Sequence, residues 1–206
     1  FQKGKIKGAT GKTFEITNQR SVDAQISSEL ITSSIRAIIF SLIAIFLYIA
    51  FRFKRWQWGL GALLAMFHDV LVVLGLFSIL YGIVPFSMEI DQAFIAAILT
   101  VVGYSINDTV VVFDRIREYI GIHKRDDAKS VVNRALNSTL SRTLNTSLST
   151  FLVLLIIFLF GGESIKGFSF ALMIGVVVGT YSSLCIASPS VVDLTKSIMP
   201  VNTDKK

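Results

Sequence analysis

The sequence predicts an all-α membrane protein with five transmembrane helices, and three observations carry that prediction. Of the 206 residues, 52% are hydrophobic and only 17% are charged, whereas a soluble domain usually has about 25% charged residues. Five apolar stretches are each close to the ~20 residues that a helix needs to cross the hydrocarbon core. Because lipid offers no partner to the backbone, runs of this length favour helices.

The predicted spans are separated by polar segments. They cover approximately 30–51, 59–83, 93–113, 140–160 and 168–188. Together they form a predicted membrane domain over 29–194, with a linker at 114–139 and a tail at 195–206. The linker places apolar residues among charges and has a break at Gly121, which favours one or two helices lying along the membrane interface.

The charged loops predict the orientation of the chain. Basic residues are concentrated in "RFKRWQW" and in 114–139, while "IVPFSMEID" and "GGESIKG" contain Glu89, Asp91 and Glu163 against one lysine. Basic loops stay in the cytoplasm, so we expect the linker and the C-terminus there, with Trp56 and Trp58 as interfacial anchors. The same bias explains the formal charge of +6 without a nucleic-acid partner.

The N-terminal residues 1–28 have a different pattern. Thr13 to Thr17 alternate polar and apolar residues next to a glycine-rich segment, which predicts one or two strands. Two strands are too few to fold alone. We therefore expect 1–28 to be the remnant of a small extracytoplasmic α+β domain in a longer chain, the first residue being Phe1 rather than methionine.

The third and fourth spans contain polar residues that a membrane helix rarely tolerates. Asp108 lies about 9 Å inside the charged end of its span, where an isolated carboxylate costs on the order of 3 kcal/mol. Asn107 is its neighbour, and the fourth span offers Arg142 and Asn145 at helical spacing. An Asp108–Arg142 pair is therefore expected, either as part of a proton path that includes Asn107 or as a static structural ion pair.

Further residues in the spans have weaker indications of function. His68 and Asp69 lie near mid-bilayer, and both side-chain types can bind and release protons, so that with Asn145 they could form a secondary relay. A structural role is favoured slightly because adjacent residues are about 100° apart on a helix. The stripe of Ser138, Arg142, Asn145 and Ser149 indicates hydrogen bonds between helices. Gly175 and Gly179 have the small-xxx-small spacing of close helix packing.

Motifs for catalysis are absent from the sequence. It contains no H-E-x-x-H, no G-x-S-x-G and no phosphate-binding Gly-Lys loop. Two histidines and one cysteine predict no metal site and no cofactor. Cys185 is in an apolar stretch, where we expect a buried, inert thiol. The chain is therefore predicted not to be an enzyme.

Four blocks of the sequence carry a family resemblance. They are "YIAFRFKRWQWGLGALLAMFHDVLVVLG", "GYSINDTVVVFDRIRE", "NSTLSRTLNTSLSTFLVLL" and "GGESIKGFSFALMIGVVVGTYSS". The chain resembles the SecF family of protein translocase subunits, relatives of the RND transporters, which implies an RND-like helical bundle. SecF proteins have six spans, so the first span and most of the extracytoplasmic domain would be absent here.

The resemblance also implies a function and partners. It implies a subunit of the bacterial inner membrane that works with SecD and uses the proton-motive force to assist preproteins through the SecYEG channel, with YajC and YidC as further candidate partners. Asp108 matches the family's key acidic residue and Arg142 its essential arginine. Two alternatives stay open: an RND-type exporter of small lipophilic molecules, and a structural subunit without ion conduction. The sequence also leaves proton and sodium coupling open.

Overall fold

The computed structural model describes residues 5–7, 13–15, 24–123 and 126–195. The chain divides into two compact units, Phe1–Arg36 and Ala37–Lys206. In the first unit, strands β1 (Lys5–Lys7) and β2 (Thr13–Glu15) pair antiparallel, with Ile6 opposite Phe14. The predicted strand at 13–17 is present for its first three residues. Ile16, Thr17 and the tail beyond Thr195 lie outside the described residues.

The five predicted membrane helices are present. They are α1 (Ala24–Phe53), α2 (Trp56–Leu80), α3 (Gln92–Ile122), α4 (Ala128–Phe160) and α5 (Glu163–Ser182), the last continuing through a π-helical turn (Ser183–Ala187) into α6 (Ser188–Thr195). Five helical stretches in the described part of the chain are long and apolar enough to cross a membrane: Thr32–Phe53, Trp56–Leu80, Gln92–Ile122, Ala128–Phe160 and Glu163–Leu194. The chain is a multi-pass membrane protein.

The predicted linker at 114–139 is not made of separate helices. Its first part continues α3 to Ile122, and its second part is the beginning of α4. The apolar pattern ends at Asp114, but the backbone hydrogen bonds of a helix continue in water. Surface ion pairs accompany the extension: Arg52 contacts Asp114 at 3.1 Å and Arg115 contacts Glu118 at 2.7 Å.

Short polar side chains determine where α3 and α4 begin. The Asp91 Oδ1 atom accepts a hydrogen bond from the Phe94 backbone N–H at 2.9 Å. The Asp127 Oδ2 atom accepts one from the Ser130 N–H at 3.3 Å. Both are N-cap contacts, which satisfy backbone donors that a first turn leaves free. The helix starts are thus set by sequence features outside the apolar runs.

Helices α3 and α5 form the centre of the bundle, with α2 and α4 on either side. One end is filled by Phe53, Trp58 and Phe113, whose ring centroids lie 5.0 to 5.8 Å apart. Trp58 is therefore a core residue, and its prediction as an interfacial anchor is wrong, whereas Trp56 is exposed. Helix α1 contributes least to the interior: only 6% of its most apolar window is buried.

The last span contains the π-helical turn. Ser188 Oγ donates to the Ser183 carbonyl at 2.8 Å, five residues earlier, and Ser182, Ser183 and Ser188 are fully buried. Cys185 within the turn is exposed, so the expectation of a buried thiol is wrong. An apolar stretch alone does not say which face of a helix a residue occupies.

Candidate functional site

Asp108 lies in α3 with only 6% of its surface exposed. Ser147 of α4 donates its hydroxyl to Asp108 Oδ2 at 3.4 Å. Thr180 of α5 in turn donates to Ser147 Oγ at 2.6 Å. The carboxylate that the sequence singled out is therefore held inside the bundle, where three helices meet.

Arg142 is near Asp108 without forming a direct ion pair with it. Among the described residues no nitrogen of Arg142 lies within 4.0 Å of a carboxylate oxygen, and Arg142 is exposed in this chain. Its positive charge nevertheless acts electrostatically on the Asp108 carboxylate. The arrangement leaves a buried acid with a nearby but separate cation.

The polar stripe predicted on α4 lies on an exposed face, and one of its expected hydrogen bonds between helices is present: Arg115 Nε of α3 donates to Ser138 Oγ at 2.9 Å. Its four residues are all exposed: Ser138, Arg142, Asn145 and Ser149. The buried face of α4 is formed instead by Thr139, Thr143 and Ser147. The small hydroxyl residues pack against α3 and α5 because they let the helices approach closely.

Asn107 points away from the site of its neighbour Asp108. It is exposed and lines a groove of about 510 Å³ together with Ala44, Ile45 and Tyr48 of α1 and Gly103 of α3. Adjacent positions on a helix differ in direction by about 100°. The structure therefore does not bring Asn107 and Asp108 onto one surface.

A second buried carboxylate lies in α2. Asp69 is fully buried, and its Oδ2 atom accepts hydrogen bonds from Ser105 of α3 at 2.6 Å and from Ser182 of α5 at 2.8 Å. Its Oδ1 atom lies 3.2 Å from His68 Nδ1. Asp69 thus joins α2 to both central helices.

His68 is at the edge of this cluster. The His68 side chain is 35% exposed, and its ring lies 6.3 Å from that of the exposed Tyr181, centroid to centroid. His68 and Asp69 do face each other although they are adjacent in the sequence. Asn145, the third residue of the predicted secondary relay, is on α4, whereas the hydrogen bonds of Asp69 go to α3 and α5.

Gly175 and Gly179 allow α5 to approach α3. A Cβ atom at Gly175 would lie 2.0 Å from Val101 Cγ2, and one at Gly179 would lie 3.1 Å from Ser105 Cβ. Both neighbours are on α3, four residues apart, so the two glycines make a flat contact against one helix face. This close approach is what brings Ser182 and Ser105 to the same oxygen of Asp69.

Sequence reasoning missed the hydroxyl partners of the two acids. These partners are Ser105, Ser147, Thr180 and Ser182. The signal available for them was spacing: Ser147 continues the stripe of Thr139 and Thr143 by steps of four, and Ser105 precedes Asp108 by three residues. Without knowledge of which helices are neighbours, serine and threonine in a span do not indicate a partner.

Hydroxyl groups are the main hydrogen-bond partners of Asp108 and Asp69. Each carboxylate has hydroxyl groups that can donate to its charged form or accept from its neutral form. Within the ranges 24–123 and 126–195, no three His, Cys, Asp or Glu side chains come together as metal ligands.

Comparison with known proteins gave consistent matches. The family model described as "Protein export membrane protein SecD/SecF, C-terminal" matches residues 2–197. The protein translocase subunit SecF of Rhodothermus marinus is 54% identical over 180 residues, which are 87% of this chain and 58% of that protein. The protein translocase subunit SecDF of Brucella abortus is 40% identical over 97% of this chain and 25% of its own length.

A solved structure is also similar. The crystal structure of SecDF from Thermus thermophilus, described as a translocon-associated membrane protein, matches with a TM-score of 0.75 and 42% identity. The match covers 85% of this chain and 23% of that one. The chain thus spans somewhat over half of the Rhodothermus relative and about a quarter of the fused proteins.

Proposed function

The chain belongs to the SecD/SecF family of protein-export membrane proteins, and we propose that, with SecD, it uses the proton-motive force to assist preprotein translocation through the SecYEG channel. The observation that carries the proposal is Asp108: a carboxylate buried inside a membrane bundle with no ion pair within 4.0 Å among the described residues. Ionisable residues inside membranes mark ion pathways by default.

The proposed cycle is a change in the charge of Asp108. When Asp108 is charged, it is held by the Ser147 hydroxyl and by the field of Arg142. When it is protonated, its attraction to Arg142 is lost, and α3 and α4 can shift relative to the SecD half. That movement displaces the extracytoplasmic domain that pulls or holds the preprotein.

The energy available is sufficient for such a switch. One elementary charge that crosses a potential of 100 mV releases about 2.3 kcal/mol. This biases a two-state equilibrium by about fiftyfold. A change of this size is enough to make one arrangement of the helices dominant in each half of the cycle.

The same proposal includes the location of the protein in the cell and its partners. The protein would lie in the bacterial inner membrane with its C-terminus in the cytoplasm, as the distribution of basic loops indicates. Its partners would be SecD, SecYEG and the preprotein, with YajC and YidC as further candidates. It would act without hydrolase chemistry, because the ion gradient supplies the energy.

The test is the substitution Asp108→Asn in the full-length protein, assembled with SecD and SecYEG in membrane vesicles. Asparagine has the same shape but cannot exchange a proton. We expect the gradient-dependent part of preprotein export to be lost, while the ATP-dependent part continues. Export is measured with the gradient intact and after an ionophore has collapsed it.

Asp114→Asn is the matched control, since Asp114 lies on the same helix but is exposed and pairs with Arg52 at the surface. Surface pairs of this kind contribute about 0–1 kcal/mol, so its export should equal that of the unmodified protein. Unchanged gradient-dependent export in Asp108→Asn would support a structural subunit instead. Gradient-driven efflux of a lipophilic dye without any effect on export would support a small-molecule exporter.

A further inference from the structure

A chain of two hydroxyl groups connects Asp108 to α5. Ser147 Oγ lies 3.4 Å from Asp108 Oδ2, and Thr180 Oγ1 lies 2.6 Å from Ser147 Oγ. All three side chains are buried, with 6 to 8% of their surfaces exposed. We propose that Ser147 and Thr180 are positioning residues that transmit the protonation state of Asp108 from α3 to α5, an inference that rests on the proposed function of Asp108.

The Thr180 hydroxyl has a choice of two acceptors. Its oxygen lies 2.6 Å from Ser147 Oγ and 2.7 Å from the backbone carbonyl oxygen of Val176. A hydroxyl group has one proton to donate and two lone pairs to accept with. Thr180 therefore donates fully to only one of the two atoms at a time, and the chain of hydroxyl groups has two hydrogen-bond arrangements, here called its two settings.

Each setting matches one state of Asp108. With Asp108 charged, Ser147 donates to Asp108 Oδ2 and Thr180 donates to Ser147. With Asp108 protonated, its new O–H donates to Ser147, Ser147 donates to Thr180, and Thr180 turns to the Val176 carbonyl. The proton comes from the aqueous phase; the hydroxyl groups only rotate, and the O–H bond of Asp108 is the one covalent bond formed or broken at the site.

Both settings satisfy the hydroxyl groups of the chain, which is what a buried polar network requires in order to be stable in two states. If Thr180 were apolar, Ser147 would lose its donor when Asp108 is charged and its acceptor when Asp108 is protonated. Thr180 thus distinguishes the two states through the direction in which its own hydroxyl points.

The chain ends at a segment of α5 that is anchored on its other side. Ser182, two residues beyond Thr180, can likewise donate to Asp69 Oδ2 at 2.8 Å or to the Gly179 carbonyl at 3.2 Å. The π-helical turn begins at the next residue, and π turns inside α-helices are frequent at functional sites. The protonation state of Asp108 therefore acts on α5 at the place where α5 bonds to α2 and passes from α-helical to π-helical hydrogen bonding.

Asp108 is the ionisable group that bonds directly to the chain of hydroxyl groups, and the other ionisable groups nearby have other partners or positions. Arg142 of α4 acts on Asp108 through its charge. His68 and Asp69 of α2 bond to each other. Tyr104 of α3 lies one turn before Asp108, is half-buried, and donates its hydroxyl to Thr150 Oγ1 of α4 at 3.4 Å. Other ionisable groups on these helices are paired, exposed or beside His68, among them Tyr181, Cys185, Asp193, Glu163, Lys166 and the charged residues of 114–118.

The test compares Thr180→Val with Thr180→Ser in the full-length protein assembled with its partners in vesicles. Valine keeps the shape and removes the hydroxyl, whereas serine keeps the hydroxyl. We expect Thr180→Val to lower gradient-dependent export roughly three- to tenfold, the loss that one hydrogen bond can cause. We also expect its pH profile to be displaced by about half a unit, and Thr180→Ser to restore both.

Thr139→Val is the matched control. Thr139 is also buried, but among the described residues its hydroxyl bonds only to carbonyl groups of its own helix, so the export and pH profile of this variant should be unchanged. Ser147→Ala interrupts the chain at a second point and should reproduce the displaced pH profile of Thr180→Val. If Thr180→Val fails to fold, Thr180→Ala, which also removes the hydroxyl, takes its place, because Ser147 bonds to Asp108 directly and its variant does not test Thr180.

The outcomes separate this inference from the proposed function. An unchanged pH profile in both Thr180→Val and Ser147→Ala overturns the inference, even if Asp108→Asn still abolishes gradient-dependent export. A loss that Thr180→Ser does not restore, or that Thr139→Val shares, shows a packing effect and overturns it as well. In the double variant Asp108→Asn/Thr180→Val, export should equal that of Asp108→Asn alone at every pH, because no titrating group remains at position 108.

Discussion

The contact between Gly175 and Val101 allows one prediction to be worked out from distances. In Gly175→Ala the added Cβ atom would lie 2.0 Å from Val101 Cγ2, 2.7 Å from Cγ1 and 2.9 Å from Cβ. Carbon atoms in good contact are about 3.5–4.0 Å apart. Since Val101 is 1% exposed and its branched side chain is stiff, the helices must separate.

The expected cost is the difference between two effects. Overpacking of a buried contact costs about 1–3 kcal/mol, and with two methyl groups overlapped we expect the upper end. Alanine favours a helix over glycine by about 0.5–1 kcal/mol. Gly175→Ala should therefore lower the free energy of unfolding by about 2 kcal/mol. Gly75→Ala, with no atom within 4 Å of the new Cβ, should raise it slightly.

A double variant tests the cause. Val101→Ala removes both Cγ atoms but leaves Cβ at 2.9 Å, so it should relieve the clash only in part. The combined loss of stability in Gly175→Ala/Val101→Ala should be smaller than the sum of the single losses by about 1 kcal/mol or more. The measurement is reversible unfolding in detergent micelles. A Gly175→Ala protein as stable as Gly75→Ala, or strictly additive losses, would refute the reasoning.

Two further predictions concern single hydrogen-bond acceptors. Asp69→Leu leaves the buried hydroxyl groups of Ser105 and Ser182 without their acceptor and should lower the free energy of unfolding by about 2–4 kcal/mol. Asp69→Asn keeps an oxygen at that place, and its free energy of unfolding should stay within about 1 kcal/mol of the unmodified protein. Equal losses of the two variants in thermal unfolding would contradict the role given to the carboxylate oxygen. Asp91→Ala removes the N-cap of α3 and should lower the free energy of unfolding by about 1 kcal/mol. Asp91→Asn is the conservative control, and equal stability of the two variants would show that the cap contact contributes nothing.

Much of the fold could be predicted from the sequence because its main determinant, the length of each apolar run, can be read along the chain without knowledge of three-dimensional contacts. An apolar run of about 20 residues specifies a membrane helix whatever its neighbours are, and all five helices predicted in this way are present. The ends of helices follow other rules. The end of α3 at Ile122 and the start of α4 at Ala128 depend on capping and on charged turns in water, so hydropathy ended one helix too early and began the other too late.

The sequence predicted the site residues only where the residue type itself is energetically unfavourable in a membrane helix. Asp108, Asp69 and Arg142 stand out because a charge in lipid is expensive, and the first two are buried. Serine and threonine are inexpensive in a span, so nothing distinguishes Ser147 from Ser149, although one faces the bundle and the other does not. That difference depends on the rotation of α4 about its axis, which is set by packing against α3 and α5.

The π-helical turn also affects how the chain can change in length. Its five residues, Ser183–Ala187, accommodate one more residue than an α-helical turn would, because the hydrogen bond runs to the fifth residue instead of the fourth. Removal of the exposed Cys185 would convert the turn to α-helix and leave the faces before and after it in register. An insertion or deletion elsewhere in this span would rotate everything beyond it by about 100°. The last helix can therefore lose a residue here without exchanging its buried serines for lipid-facing positions.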